Sequence, residues 1–75
     1  MQATKDGDVI LGKVIRAARH QAGLSQGELE YTSGIPKARL SRYENGHVTP
    51  SLASLDRLAR GLNTLSSDLL KAAGR

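Results

Sequence analysis

The sequence predicts an all-α domain built from five short helices. Three observations carry this: apolar residues recur at three- and four-residue spacing, no segment reads as a strand, and Gly or Asn stops separate the segments. Seventy-five residues suffice for one domain and not two. The chain has no Cys, Trp or Phe, which excludes disulfides and thiolate metal sites and leaves aliphatic packing to hold the fold. No run approaches the roughly 18 apolar residues that span a bilayer. The N-terminal octet has no apolar stretch of the kind a secretory signal needs. A cytoplasmic protein is the expectation.

The first helix is expected over residues 9–22, where Leu11, Val14, Ile15, Ala18 and Ala22 line one face. Asp8 is its candidate N-cap, Gly23 its stop, and the polar residues 1–8 before it are expected to form a mobile arm. The domain proper is thus placed at 9–75.

The second start is the best marked. Ser25 and Glu28 have the Ser-x-x-Glu spacing of a capping box, with Leu24 and Leu29 at the flanking staple positions. This helix runs to about Thr32, where Ser33-Gly34 breaks it. Pro36 then suits the first turn of a third helix, because proline lacks an N–H that would be orphaned there anyway. That helix continues over 37–44 to the stop Asn45-Gly46.

A loop over 47–50 precedes the fourth helix, with Thr49 or Ser51 as cap and Leu52, Leu55, Leu58, Ala59 and Leu62 as its apolar stripe. Asn63 supplies the next left-handed stop. A last helix over about 67–73 carries Leu69 and Leu70. Linkers of this length leave no room for strands.

Charge placement says more than its total. The net charge is +4, from eleven Lys+Arg against seven Asp+Glu. In the middle third Glu28 and Glu30 come first, and Lys37, Arg39 and Arg42 follow without an acid until Glu44. Projected at 100° per residue, Leu40 and Tyr43 of the third helix share one face. Ala38 and Arg42 point away from it, flanked by Ser41 and Asn45, with Lys37 and Arg39 at the margins. A capped helix, a tight Ser-Gly-Ile turn and a second helix with a basic outer face make a helix-turn-helix. Leu29, Ile35 and Leu40 would lock the pair at a steep angle. A segregated basic face of this kind suits nucleic acid.

Leu24-Ser25-Gln26-x-Glu28-Leu29, Ser33-Gly34-Ile35, the run from Leu40 to Gly46, and Pro50-Ser51-Leu52-x-x-Leu55-x-x-Leu58-Ala59 resemble the Cro/phage-repressor helix-turn-helix family, also called xenobiotic-response-element-like. The resemblance covers residues 11–70 and implies a compact lambda-repressor-like domain that binds double-stranded DNA. It implies base contacts from Lys37, Ala38 and Arg42 on a recognition helix at 36–45. It further implies phosphate contacts from Gln26, Ser25, Arg19, Arg39, Ser41 and Asn45. An Arg19–Glu44 salt bridge between the first and third helices is implied as well. Three departures stand out: Glu30 occupies a position usually small in the family, Pro36 one usually held by a Ser/Thr cap, and Thr64-Leu65-Ser66 reorders the apolar pattern usual before the last helix.

A single domain of this size buries little DNA, so a homodimer on a palindromic operator is expected, meeting through Leu65, Leu69, Leu70 and Ala73 near the C-terminus. The other class consistent with the sequence is an antitoxin-like interaction module that binds a partner protein, with DNA binding secondary. No nucleophile–base pair, paired carboxylates or phosphate-cradling Gly-rich loop can be assembled, so an enzyme is not expected. His20 and His47 have no third ligand near them, and neither metal nor cofactor is expected.

Overall fold

The structure is a computed structural model that describes the backbone from residue 3 and side chains from Val9 onward. Five helices follow one another, and no strand occurs among the described residues: α1 (Ala3–Gln21), α2 (Gln26–Ser33), α3 (Lys37–Glu44), α4 (Leu52–Gly61) and α5 (Ser66–Ala72). None is long and apolar enough to cross a membrane.

Local chemistry sets most of the boundaries. Ser25 caps α2: its Oγ accepts from the Glu28 N–H at 3.0 Å, and Glu28 Oε1 accepts from the Ser25 N–H at 2.8 Å. These bonds to ionised Glu28 hold its carboxyl below the usual carboxylate range, the backbone N–H of Ser25 first and its side chain second. At the other end of α2, Gly34 takes φ +75 and its N–H closes on the Glu30 carbonyl. Asn63 (φ +58) is a non-glycine left-handed stop after α4, as its side chain allows.

Several boundaries differ from expectation. Asp8 is not a cap, because α1 already runs from Ala3. Residues 3–8 contain no proline, so the helix propagates through them into the expected arm, whose first two residues lie outside the described residues. Between the two candidates for the α4 cap, Ser51 takes the role, its Oγ accepting from the Ser54 N–H at 3.1 Å. Thr49 is one residue too early, with Pro50 between them. The last helix starts and ends one residue before its expected bounds.

The core is aliphatic apart from Tyr43. Ile15, Leu29, Leu40 and Leu58 are fully buried, joined by Leu11, Ile35, Leu55, Ala59, Leu62, Leu69 and Ala73. Leu29, Ile35 and Leu40, the residues expected to lock α2 and α3, all lie in this core, and Leu24 packs against it. The α4 stripe is shorter than its spacing suggests: Leu52 is 74% exposed, since the first turn of α4 overhangs the core. Tyr31 is almost wholly exposed.

Two glycines permit the closest helix crossing. A Cβ on Gly12 of α1 would stand 2.8 Å from the Glu44 carbonyl oxygen and closer still to that of Tyr43. A Cβ on Gly46, just beyond α3, would lie 2.9 Å from the Val9 Cα, and Gly46 also needs φ +74. The backbone of α1 thus rests directly on the end of α3.

Candidate nucleic-acid interface

The turn between α2 and α3 is held by Ser33. Its hydroxyl donates to the Leu29 carbonyl at 2.6 Å and accepts from the Ile35 N–H at 3.1 Å, which leaves no buried polar group of the turn open. Pro36, with φ −57 and ψ 141, is the N-cap of α3 and offers no side-chain bond. Ser33 stabilises the turn where a Ser/Thr cap would otherwise help, so α3 starts at Lys37 despite the proline. Glu30 is exposed, so the crossing of α2 and α3 does not have to enclose its charge.

On α3 the division of faces is clean. Leu40, Tyr43 and Glu44 are buried; Lys37, Ala38, Arg39, Arg42 and Asn45 are exposed, and Ser41 is half-buried. No large apolar side chain lies on the outer face. Asn45 Nδ2 donates to the Ser41 carbonyl at 2.8 Å and to Ser41 Oγ at 3.3 Å, so these two predicted phosphate contacts hold one another at the end of the helix.

A polar network lies behind that face. Arg19, at the C-terminal end of α1, grips Glu44 sideways: Nε donates to Oε2 at 2.7 Å and Nη2 to Oε1 at 3.0 Å, while Nη1 donates to the Leu24 carbonyl at 2.9 Å. Its pKa is raised, chiefly by the hydrogen bonds to Glu44, against a smaller opposing effect of burial. Gln26 Nε2 also donates to Glu44 Oε1, at 3.2 Å. One amide hydrogen of Gln26 is thereby used and the second is left for another acceptor. The implied salt bridge is present, but Arg19 is only 8% exposed and committed to it. Three of its five N–H groups are bound inside the protein, and two are left for another acceptor.

An open cavity of about 570 Å³ forms in front of this network, where Arg16, Arg19, Ser25, Gln26, Gly27, Lys37 and Asn45 meet Glu44. On the other flank of α3 a second hollow of about 420 Å³ is lined by Arg39, Arg42, Thr49, Ser51 and Ser54. The structure therefore brings Arg19, Ser25, Gln26, Lys37 and Asn45 together on one side and Arg39 and Arg42 on the other. Lys37 belongs to the flank as much as to the outer ridge. Arg16 carried no sequence signal beyond being one cation among several on α1; its position three residues before Arg19 places it on the same side of the helix. Among the described residues no group of His, Cys, Asp and Glu is placed to hold a metal ion.

The four predicted dimer residues separate. Leu65 is 64% exposed and Leu70 half-buried, whereas Leu69 and Ala73 belong to this chain's own core. Leu69 docks because α5 turns one side inward after the unpacked Leu65; it and Ala73 are withdrawn from any external contact.

A family model described as a helix-turn-helix domain matches residues 10–73. The chain belongs to that helix-turn-helix family. The match takes in α2 through α5 and most of α1, so the whole buried core lies within it. Solved structures agree with this helix-turn-helix assignment. The restriction-modification controller protein C.AhdI from Aeromonas hydrophila is 31% identical, with TM-score 0.80 over 83% of this chain and 94% of that one. The clp gene regulator ClgR from C. glutamicum is 26% identical, with TM-score 0.84 over 91% of this chain and 88% of that one. A mutant of the restriction-modification controller protein C.Esp1396I, 21% identical, shares the fold with TM-score 0.82 over 89% of this chain and 85% of that one. No curated protein matches the sequence.

Proposed function

We propose that this helix-turn-helix chain binds a palindromic double-stranded-DNA operator as a homodimer, with α3 in the major groove. The chain is a DNA-binding transcription regulator. The observation that carries the groove assignment is the division of α3 into a buried Leu40–Tyr43–Glu44 face and an exposed basic face without bulk. With side chains a helix is about 10–12 Å across, which matches a major groove about 12 Å wide. Ala38 and Arg42 on the ridge face base edges, with Arg42 the leading specificity contact because Arg pairs bidentately with guanine. Lys37 stands beside them. Ser25, Gln26, Arg39, Ser41 and Asn45 on the flanks serve the phosphates.

Two copies place two α3 helices about 34 Å apart on a two-fold operator. Leu65 and Leu70 supply the apolar contact between copies. The protein acts in the cytoplasm, and catalysis has no part in this role.

Selection from random duplexes, followed by salt-titrated binding to the winning sequence, tests the reading. The expected winner is two-fold symmetric, and its log K falls linearly with log salt. A flat salt dependence, or no enrichment of any duplex, refutes it.

A further inference from the structure

The chain contains one Asn-Gly pair, Asn45-Gly46, at the C-terminal end of α3. An asparagine followed by glycine can modify itself, because the glycine has no side chain to shield its nitrogen. The Gly46 nitrogen, on losing its proton, attacks Asn45 Cγ. A C–N bond closes a five-membered succinimide ring, and the side-chain nitrogen leaves as ammonia. Water then opens either carbonyl of the ring, giving aspartate or isoaspartate. Water is consumed, ammonia is released and a carboxylate is gained, with no oxidant or cofactor.

In the folded chain this attack is closed off. Asn45 sits at φ −90 and ψ 3, which turns the Gly46 nitrogen towards Asn45's own nitrogen and away from its Cβ. Ring closure needs that ψ to swing, and three hydrogen bonds resist it. Gly46 N–H donates to the Tyr43 carbonyl at 3.1 Å, and His47 N–H to the Arg42 carbonyl at 2.9 Å. Asn45 Nδ2 donates to the Ser41 carbonyl at 2.8 Å. The swing would also lift Gly46 off Val9 of α1, where a Cβ on the glycine would stand 2.9 Å from the Val9 Cα. The reaction therefore waits for the end of α3 to come away from α1.

The product does not fit back. A carboxylate at position 45 would turn an acceptor to the Ser41 carbonyl that Nδ2 now donates to. It would also add negative charge at a helix C-terminus, where the dipole disfavours it. Isoaspartate lengthens the main chain by a carbon at the joint where Gly46 already abuts Val9. Either product sets an acid beside the exposed cations Lys37, Arg39 and Arg42 of α3.

We infer that Asn45-Gly46 is a self-modification site that the fold keeps closed, and that opening of the end of α3 converts it and switches DNA binding off for good. The switch rests on the DNA-binding reading above; the closed site does not.

The test incubates the full chain in warm neutral buffer, folded and in urea above its unfolding midpoint. Peptide mass spectrometry with isoaspartyl methyltransferase labelling follows both asparagines, and Asn63, which precedes the bulkier Thr64, is the internal control. Asn45 is expected to convert at least about tenfold more slowly folded than in urea, and in urea faster than Asn63. Gly12→Ala, which pushes α1 away from α3, should speed conversion of Asn45 in the folded chain. Converted protein separated by ion exchange, and the Asn45→Asp variant, should each bind the selected operator about fivefold more weakly or worse. Equal rates folded and in urea, a rate in urea no higher than that of Asn63, or no effect of Gly12→Ala overturns the closed site. Converted protein that binds as tightly as the starting protein overturns the switch and leaves the DNA-binding reading standing. If the starting protein binds no duplex, that reading and the switch fall together, while the conversion rates still decide the site.

Discussion

Replacing Glu44 with Gln keeps the shape of the side chain and removes its charge, which isolates the Arg19–Glu44 pair. The side chains of Arg19 and Glu44 are 10% and 3% exposed, so the figures for buried pairs apply and those for surface pairs do not. In wild type Glu44 accepts three hydrogen bonds, two from Arg19 and one from Gln26. In the Glu44→Gln variant the introduced amide oxygen would replace one acceptor, and the amide nitrogen would point donors at donors. Breaking a buried pair costs about 3–5 kcal/mol. The surviving bond from Arg19 to the Leu24 carbonyl argues for the lower end, about 3 kcal/mol. A chain of this length has only about 4–11 kcal/mol in all at typical values per residue. At about 4–8 °C per kcal/mol the melting temperature falls by roughly 12–24 °C. Urea unfolding followed by helical circular dichroism reads the effect. The double variant Arg19→Met, Glu44→Leu should recover to within about 1 kcal/mol of wild type, since an apolar pair avoids the desolvation of both ions. A loss below about 1 kcal/mol in Glu44→Gln, or a double variant as weak as the sum of its singles, would refute this account of the pair.

Other outcomes follow from single contacts. Gly12→Ala drives a methyl into two backbone carbonyls and should destabilise by about 1–3 kcal/mol or more, measured by the same unfolding; a neutral result would mean that α1 can lift off α3 freely. Leu65→Glu should leave the melting temperature within about 5 °C while abolishing self-association in equilibrium sedimentation, whereas Leu69→Glu should unfold the chain. Arg42→Ala should weaken operator binding by about 1–3 kcal/mol and relax selection at one base pair, and an unchanged base preference would remove it from the readout. For Glu28 the folded pKa lies below the unfolded one, so its stabilisation is fully present above the unfolded value and is lost as pH falls through the folded value. Wild type should therefore lose stability more steeply than Glu28→Gln below about pH 4, as urea midpoints across that range will show.

The parts of this fold legible in sequence are those settled within four or five residues. Ser25 and Glu28 act through side chains three residues apart, and Gly34, Asn45-Gly46 and Asn63 through their own backbone, so each boundary falls where its chemistry puts it. Helical spacing also identified the inward faces, from Leu11 and Ile15 to Leu58 and Leu62. Spacing does not say where a neighbour stops covering a face. Leu52 fits the α4 stripe yet overhangs the core, and Leu69 fits a dimer seam yet sits inside this chain. The start of α1 was misplaced for a related reason: Asp8 is a good cap, but a cap residue does not begin a helix that can already propagate to it. At the interface the outer residues of α3 followed from projection alone. The Arg19–Glu44 pair did not follow from projection or spacing and came only with the family resemblance, because it is a contact across 25 positions of sequence.

The seat of α1 on α3 is a joint between main chains. Gly12 meets the Tyr43 and Glu44 carbonyls, and Gly46 meets Val9, with no side chain on the glycine side of either contact. The Gly12 contact has nothing in it to repack, while the Gly46 contact also meets Cγ2 of Val9. Leucines elsewhere in the core can drift in size, and the domain can loosen or tighten around them, while at Gly12 the offset between α1 and α3 is set by backbone atoms common to every residue. Mutation can alter that offset mainly by adding carbon at position 12 or 46. The two glycines thus act as a gauge block between α1 and the end of α3, setting the seat of one helix on the other apart from how the rest of the interior evolves.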